Sequence, residues 1–356
     1  MRQFKNILIT GGAGFIGSNF IRTLLVKSGY TGRIINLDKL TYAGNAASLD
    51  DVAEAFPDQY VFVNGDICDR ELVSSLFEKY KIDAVCHLAA ESHVDRSIEG
   101  PEAFINTNII GTFTLLDVAR HAWGDDLEDK LFHHVSTDEV YGSLGETGFF
   151  FEDTPYDPRS PYSASKASSD HLVMAYFHTY GLPVTMTNCS NNYGPYQFPE
   201  KLIPVMIENM LDEKALPVYG DGRNIRDWLF VEDHNSAVWA VMQRGKLGET
   251  YNIGGENEWE NIHLVNSLCE IVADEKGKDK DYYKKLITYI KDRPGHDRRY
   301  AINCDKLKSE LGWKQSVTFD EGLKHTVKWY LENREWVDSI KSGEYRNWMD
   351  KNYVGR

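Results

Sequence analysis

The sequence predicts an α/β protein: a Rossmann-type, doubly wound parallel sheet with a smaller mixed α/β substrate domain. Three observations carry that reading. Short apolar runs of strand length recur and alternate with helix-length stretches, the rhythm of a parallel sheet with right-handed crossovers. The runs show little polar alternation, as strands do when both faces are covered. The first run leads directly into a glycine-rich turn that opens a helix.

Taken in order, Asn6–Thr10 reads as a buried strand, and Gly11–Gly17 as the turn after it. Ser18–Ser28 reads as a helix with Phe20, Ile21, Leu24 and Leu25 on one side. Arg33–Leu37 is the next strand and ends at Asp38. Tyr60–Asn64, Ala84–Leu88, Leu131–Val135 and Val184–Asn188 repeat the pattern. After a turn at Asn191–Pro195 the rhythm becomes irregular, and loops rich in proline and glycine surround 216–222 and 292–297. The boundary is therefore placed near Tyr196: residues 1–195 form the dinucleotide-binding domain, to which 227–254 is expected to return, and 196–356 form the second domain. Trp329, Tyr330, Trp336, Tyr345, Trp348 and Tyr353, close to the C-terminal end, read as the aromatic side of a helix packed on the core.

A chain of 356 residues accommodates these two units, and 42% hydrophobic residues supply their cores. The net charge of -15 argues against binding nucleic acid or an anionic membrane without sequence preference, since both rely on basic patches. Phosphate ligands must then be held by local backbone N–H groups and a few arginines. The five cysteines (Cys68, Cys86, Cys189, Cys269 and Cys304) are scattered and form no C-x-x-C pair, the pattern of reduced thiols in a cytoplasmic enzyme. A first strand starting near Lys5 leaves no room for a signal peptide, and no apolar run approaches membrane-spanning length. No metal is expected: the eleven histidines lack H-E-x-x-H spacing, and His133 and His134 read as packing residues within a strand.

Gly11, Gly14 and Gly17 form a G-x-x-G-x-x-G turn between strand and helix. Such glycines allow a tight turn and close approach of a pyrophosphate, whose charge meets the positive end of the helix dipole. Asp38 follows Gly17 by 21 residues at the end of the second strand, where an acid bonds the adenosine ribose. A carboxylate there repels a 2′-phosphate, which favours NAD over NADP. The plain alternative is a structural turn beside a surface aspartate. Asp66 and Ile67, with Leu88, Ala89 and Ala90, stand at strand carboxyl ends, the edge along which a dinucleotide lies.

Tyr162 and Lys166 lie one helical turn apart, a rise of about 6 Å, and share a face. A tyrosine is too weak an acid to serve as a base at neutral pH, but a neighbouring ammonium and an oxidised nicotinamide would stabilise the phenolate. Upstream, Ser136-Thr137-Asp138-Glu139 places a hydroxyl and two carboxyls at what reads as a strand end. Within a strand the two acids would face opposite ways. If the strand ends by Thr137, the backbone can turn and aim both into one crevice, one as acid and one as base. The plain alternative is a helix cap or solvated loop charges.

With these residues in place, the chain resembles the extended short-chain dehydrogenase/reductase superfamily and, within it, the nucleotide-sugar 4,6-dehydratases. The resemblance rests on Thr41–Asn45, Ser92–Ser97, Ser136–Gly142, Ser160–Lys166, Asn191–Pro204, Arg226–Trp228 and Asp292–Tyr300. The GDP-mannose branch typically has Thr-Ser-Glu where this chain has Thr137-Asp138-Glu139, and 4-epimerases lack the acidic pair. Departures from the pattern are Glu258-Trp259-Glu260 before Asn261, and Asn303 in place of an aspartate.

The resemblance implies dTDP-glucose as substrate, NAD as bound cofactor, and dTDP-4-keto-6-deoxy-glucose as product. Tyr162, helped by Thr137 and Lys166, would take the C4 hydroxyl proton; Glu139 would take the C5 proton; Asp138 would protonate the leaving C6 hydroxyl. Phe15, Ile16, Lys39, Leu40, Thr41, Ser92, Thr107 and Asn192 would join the cofactor site. Ser92, Thr137, Asn191, Glu200, Lys201, Leu202, Pro217, Tyr219, Arg226, Asn261, Arg293, His296 and Asp297 would meet the substrate. The superfamily also implies a homodimer built as a four-helix bundle from helices near 103–123 and 165–180. The competing readings are a nucleotide-sugar 4-epimerase, which needs no acidic pair, and a non-catalytic NAD-binding scaffold, which needs neither pair.

Overall fold

The computed structural model describes residues 1–292 and 296–341. Its strands are β1 Asn6–Thr10, β2 Arg33–Asp38, β3 Tyr60–Asn64, β4 Ala84–His87, β5 Leu131–Thr137, β6 Val184–Cys189, β7 Asn191–Tyr193, β8 Leu216–Tyr219, β9 Ile225–Phe230, β10 Thr250–Ile253, β11 Glu258–Glu260 and β12 Ile287–Ile290. Seven of them form one sheet in the order β10-β6-β5-β4-β1-β2-β3, parallel throughout. The chain runs outward from β1 to β3, then returns to the other side of β1 with β4. That reversal is the switch point at which ligands bind in open α/β sheets.

The strands expected from apolar runs are all present, with ends that differ by no more than two residues. The inner residues of the central strands are buried on both sides, as in β1, where Ile7, Leu8 and Ile9 are fully enclosed; those of the edge strand β3 are half-buried. Phe20, Ile21 and Leu24 pack on one face with Val238 and Val241 from the helix Val231–Arg244. Val73, Phe77, Leu115 and Val173, from the helices Arg70–Tyr80, Thr112–Trp123 and Pro161–Tyr180, cover the other face.

Two local expectations need correction. The first helix spans Phe15–Arg22, beginning three residues before Ser18, because the glycine turn brings the chain into helical geometry at once. Ser18 N–H already donates to the Gly14 carbonyl at 2.9 Å. The turn expected at Asn191–Pro195 instead begins with β7, which pairs in parallel with β9. Three polar residues carry no periodicity, so only their distant partner reveals the strand.

The strands β7, β9 and β11 make a three-stranded sheet, and β8 and β12 a two-stranded one. Beneath them Ile203, Met206, Phe230, Leu264, Val265, Val327 and Tyr330 form a second core. The unusual Glu258-Trp259-Glu260 segment is β11 itself. Glu258 takes a two-pronged bond from Arg299, and Trp259 stacks on Phe319 with centroids 5.1 Å apart. Trp329 and Trp336 pack around Tyr196, with Tyr330 buried beside them, while Tyr345, Trp348 and Tyr353 lie outside the described residues. Among the described residues no helix is long and apolar enough to cross a membrane.

Candidate active site

A cavity of about 320 Å³ opens above the carboxyl ends of β1, β2, β4, β5 and β6. On the β1 side its wall is the glycine turn. Gly11 has φ +72°, and a Cβ there would sit 2.7 Å from the Ala89 Cα; one on Gly17 would meet the Gly11 carbonyl oxygen at 2.3 Å. The turn is thus pressed against β4 and against itself, and only glycine fits. No side chain caps the helix that begins at Phe15, so its first N–H groups are not claimed by a cap. At the end of β2, Asp38 accepts from the Ala13 N–H at 2.9 Å and the Leu40 N–H at 2.8 Å. Burial raises the pKa of this carboxyl, and those two bonds oppose the rise. Lys39 and Asp66 pair across the rim at 2.7 Å. A bare turn, a helix N-terminus and a fixed carboxylate fit the pyrophosphate and ribose of an adenine dinucleotide.

On the far side, β5 ends at Thr137 and a single 3₁₀ turn follows over Asp138–Tyr141. Thr137 caps that turn, accepting from the Glu139 N–H at 3.3 Å. Because the turn starts where pleating stops, Asp138 and Glu139 no longer alternate, and both line the cavity with Tyr162 and Lys166. Asp138 is 2% exposed, and its Oδ2 has no hydrogen-bond partner among the described residues. Burial, then the charges of Glu139 and Asp227, push its pKa well above the usual carboxyl range, which favours the protonated form.

Tyr162 and Lys166 sit in the first turns of the helix Pro161–Tyr180, which a Ser160–Ser163 capping box fixes. The Tyr162 ring packs edge-on against Phe104, centroids 6.3 Å apart. Burial and the nearby Glu139 charge push the Tyr162 phenol above its ordinary value in the cofactor-free chain. The Lys166 ammonium donates to the Val135 carbonyl at 2.9 Å, where burial lowers its own pKa.

The structure gathers most of the sequence-derived candidates. Gly11, Gly14, Phe15, Ile16, Gly17, Asp38, Lys39, Thr41, Asp66, Ile67, Leu88, Ala89, Ala90, Ser92, Thr107, Asn191, Asn192, Glu200 and Lys201 all line this cavity. Leu40 does not; its left-handed backbone (φ +53°) turns the chain so that its N–H holds Asp38. Glu200 is 3% exposed beside Arg96, and burial pushes its pKa up to about 6 against the charges of Lys201 and Arg96.

Leu202, Pro217, Tyr219, Arg226, Asn261, His296 and Asp297 lie outside the cavity wall. Several of them meet in a neighbouring cluster. Arg226 donates to the Asp297 carbonyl at 2.9 Å and lies over the Tyr300 ring, Tyr300 donates to Asp297 Oδ2, and the Tyr219 ring faces His296. The Arg226 charge reaches Asp138 and opposes its raised pKa. Arg293 lies outside the described residues. The cavity also takes in Ser136, named above with Thr137 but given no role, and Glu91, Cys189, Ser190, Gln197 and Phe198, which were assigned to no site. Ser136, Cys189 and Ser190 stand at strand carboxyl ends and could have been found by that rule; Gln197 and Phe198 carry no local signal.

The model of the family described as GDP-mannose 4,6 dehydratase matches residues 8–326. A dTDP-glucose 4,6-dehydratase of Escherichia coli K12 is 55% identical over 98% of this chain and 99% of its own length. A crystal structure of the dTDP-glucose 4,6-dehydratase of Streptomyces venezuelae, with NAD and TYD bound, superposes with a TM-score of 0.86 at 46% identity, covering 94% of this chain and 100% of that one. A UDP-glucose 4-epimerase of Thermotoga maritima shares the fold at a TM-score of 0.81 but only 30% identity, over 92% of this chain and 99% of its own. The acidic pair after β5, in one cavity with the tyrosine–lysine pair, agrees with the closer of these likenesses: the chain belongs to the nucleotide-sugar 4,6-dehydratases, in the dTDP-glucose 4,6-dehydratase branch.

Proposed function

We propose that this chain is an NAD-dependent hydro-lyase that converts dTDP-glucose to dTDP-4-keto-6-deoxy-glucose. The observation that carries the reading is the turn at Asp138–Tyr141, which sets two carboxyls beside Tyr162 in one cavity. Oxidation or epimerisation at C4 needs one proton acceptor; removing water across C5–C6 needs a base and an acid as well.

The glycine turn, Asp38 and the residues at the ends of β3 and β4 hold NAD. Bound there, NAD supplies a hydride acceptor for C4, the hydride that returns to C6, and a positive ring that favours the phenolate. Tyr162, with the Thr137 hydroxyl, takes the C4 hydroxyl proton. Once C4 is a ketone the C5 proton is acidic, and Glu139 removes it. Asp138, protonated in its buried position, gives its proton to the departing C6 hydroxyl. The cluster around Arg226, with Arg293, takes the nucleotide diphosphate, for which planar guanidinium donors suit. On this reading 1–195 with 227–254 hold the cofactor and 196–356 the sugar nucleotide.

Ile105 and Ile110, just before the helix Thr112–Trp123, Phe113 in that helix, and Tyr180 at the end of the helix Pro161–Tyr180 are exposed apolar side chains. They support a homodimer joined through those helices as a four-helix bundle, which light scattering at micromolar concentration would read as twice the chain mass. The five free thiols support a cytoplasmic setting.

Incubation with dTDP-glucose deuterated at C4, without added reductant, tests the function. The product is expected to be the 4-keto-6-deoxy sugar nucleotide with deuterium at C6. Recovery of dTDP-galactose, or of unchanged substrate, would overturn it.

A further inference from the structure

Behind Lys166 lies a group of enclosed polar side chains to which the reaction above gives no task. Lys166 Nζ stands 3.4 Å from His134 Nε2, and the same nitrogen is 3.0 Å from Asp170 Oδ1. Asp170 follows Lys166 by one turn on the same helix. Its Oδ2 accepts from the Ser136 hydroxyl at 2.8 Å and the Tyr156 hydroxyl at 3.1 Å. Lys166, His134 and Asp170 are 4%, 1% and 1% exposed.

A neutral imidazole nitrogen either donates or accepts. If His134 Nε2 donates to Asp170 it cannot accept from the ammonium; if it accepts from Lys166 it has no proton for the carboxylate. His134 Nδ1 has no hydrogen-bond partner among the described residues, and the Ser169 hydroxyl, 3.3 Å from Nε2, donates to the Lys166 carbonyl, so neither fixes the tautomer. Burial keeps the ring neutral. One nitrogen thus mediates between a buried cation and a buried anion.

The other titratable groups facing Lys166 do not supply the anion. Burial holds His87 on β4 neutral, and it pushes the Cys189 thiol on β6 up to about 12. Tyr162, one turn earlier, is a neutral phenol, and Glu139 and Asp138 lie on its cavity side. Around Asp170, Tyr156 is a donor and His171 a weak positive influence. A buried ammonium lacking a counter-charge sheds its proton.

We propose that Asp170 is a positioning residue for the C4 oxidation: through His134 its carboxylate keeps Lys166 charged and directed at the end of β5. The proposal rests on the reading that Lys166 serves the hydride step.

Lysine labelled with ¹³C at Cε allows Lys166 to be titrated by NMR in the full chain, independently of turnover. Burial pushes Asp170 up to about 6, so the unsubstituted protein should show a step in the Lys166 signal near that pH, mirrored by the Asp170 carboxyl. Asp170→Asn should lower the Lys166 midpoint by about one pH unit or more. In single turnovers with dTDP-glucose it should carry the alkaline limb of C4 oxidation down equally, slowing that step by up to about tenfold at pH values above both midpoints, with substrate affinity unchanged. Asp170→Glu should restore the limb, and Tyr156→Phe, which loosens the group but keeps its charge, should leave the midpoint in place. The proposal is overturned by a Lys166 signal with no step near pH 6 in the parent, a measurement that needs no variant to fold. It is equally overturned if Asp170→Asn and Tyr156→Phe shift the midpoint alike, or if Asp170→Asn lowers thermal stability while the limb stays put. A chain that made no 4-keto-6-deoxy product yet kept the coupled titration would refute the dehydratase function and leave this role standing.

Discussion

Thr137 Oγ1 lies 3.4 Å from Asp138 Oδ1, across the junction where β5 gives way to a 3₁₀ turn. The contact marks the point at which a strand becomes the turn that carries both acids. One more pleated residue would send Asp138 and Glu139 to opposite faces of the sheet. The turn instead buries Asp138 in the cavity wall and leaves Glu139 half-buried on its edge.

The buried carboxyl of Asp138 should set function against stability. Its folded pKa is raised above the ordinary carboxyl value by burial and then by Glu139 and Asp227. Its contribution to stability is therefore whole below the ordinary value and is lost as pH rises toward the raised one. Asp138→Asn should denature at a higher temperature than the parent at pH 8, with the gap narrowing at pH 5. The same variant should slow water loss about 100-fold or more while sparing C4 oxidation. Thermal denaturation at both pH values and single-turnover product analysis check the two halves.

Glu139→Gln and Tyr162→Phe should fail at different steps. The glutamine variant should oxidise C4 and stall before elimination, slowed about 100-fold or more. The phenylalanine variant should suppress C4 oxidation itself. Rapid-quench identification of the accumulating sugar nucleotide separates them, and a loss confined to substrate binding in both would refute the division of roles.

Asp38 does two jobs at once, since each oxygen anchors one side of the cofactor loop. Asp38→Ala removes both bonds along with the ribose acceptor, and each is worth about 1–3 kcal/mol for a charged acceptor. NAD affinity should fall at least tenfold by calorimetry, with the fold retained by circular dichroism.

Gly17→Ala adds one methyl group where the nearest atoms are backbone, 2.3 Å and 2.7 Å away at Gly11 and Gly12. The turn must open to admit it, at a cost of about 1–3 kcal/mol. Denaturant midpoint and NAD affinity should fall together. Gly29→Ala is a poor control because its φ is +70°; Gly145, with nothing within 4 Å and no positive φ, is the better one and should leave both unchanged.

Much of this was legible along the chain. The apolar runs marked β1 to β6, since a strand covered on both faces is written locally as consecutive hydrophobic residues. The glycine turn, Asp38, and the Tyr162–Lys166 spacing are likewise local, because a turn and a helical repeat each join residues close in sequence. What stayed hidden is non-local. Asn191–Tyr193 became a strand only because Trp228–Phe230 lies beside it. Gln197, whose carbonyl accepts from Tyr330, and Phe198, which packs with Tyr42 and Ile340, reached the cavity through partners distant in sequence, and nothing in their neighbours says so.

The sequence by itself determined the parallel α/β class and the cofactor turn, which rest on short-range periodicity and residue chemistry, and it named the candidates for the reacting groups. Only the tertiary structure decided where β5 stops, that both acids share one cavity, and that the Lys166 ammonium meets the Val135 carbonyl and His134. Those outcomes depend on burial and on which charges meet across elements, neither of which is written in a residue's neighbours along the chain.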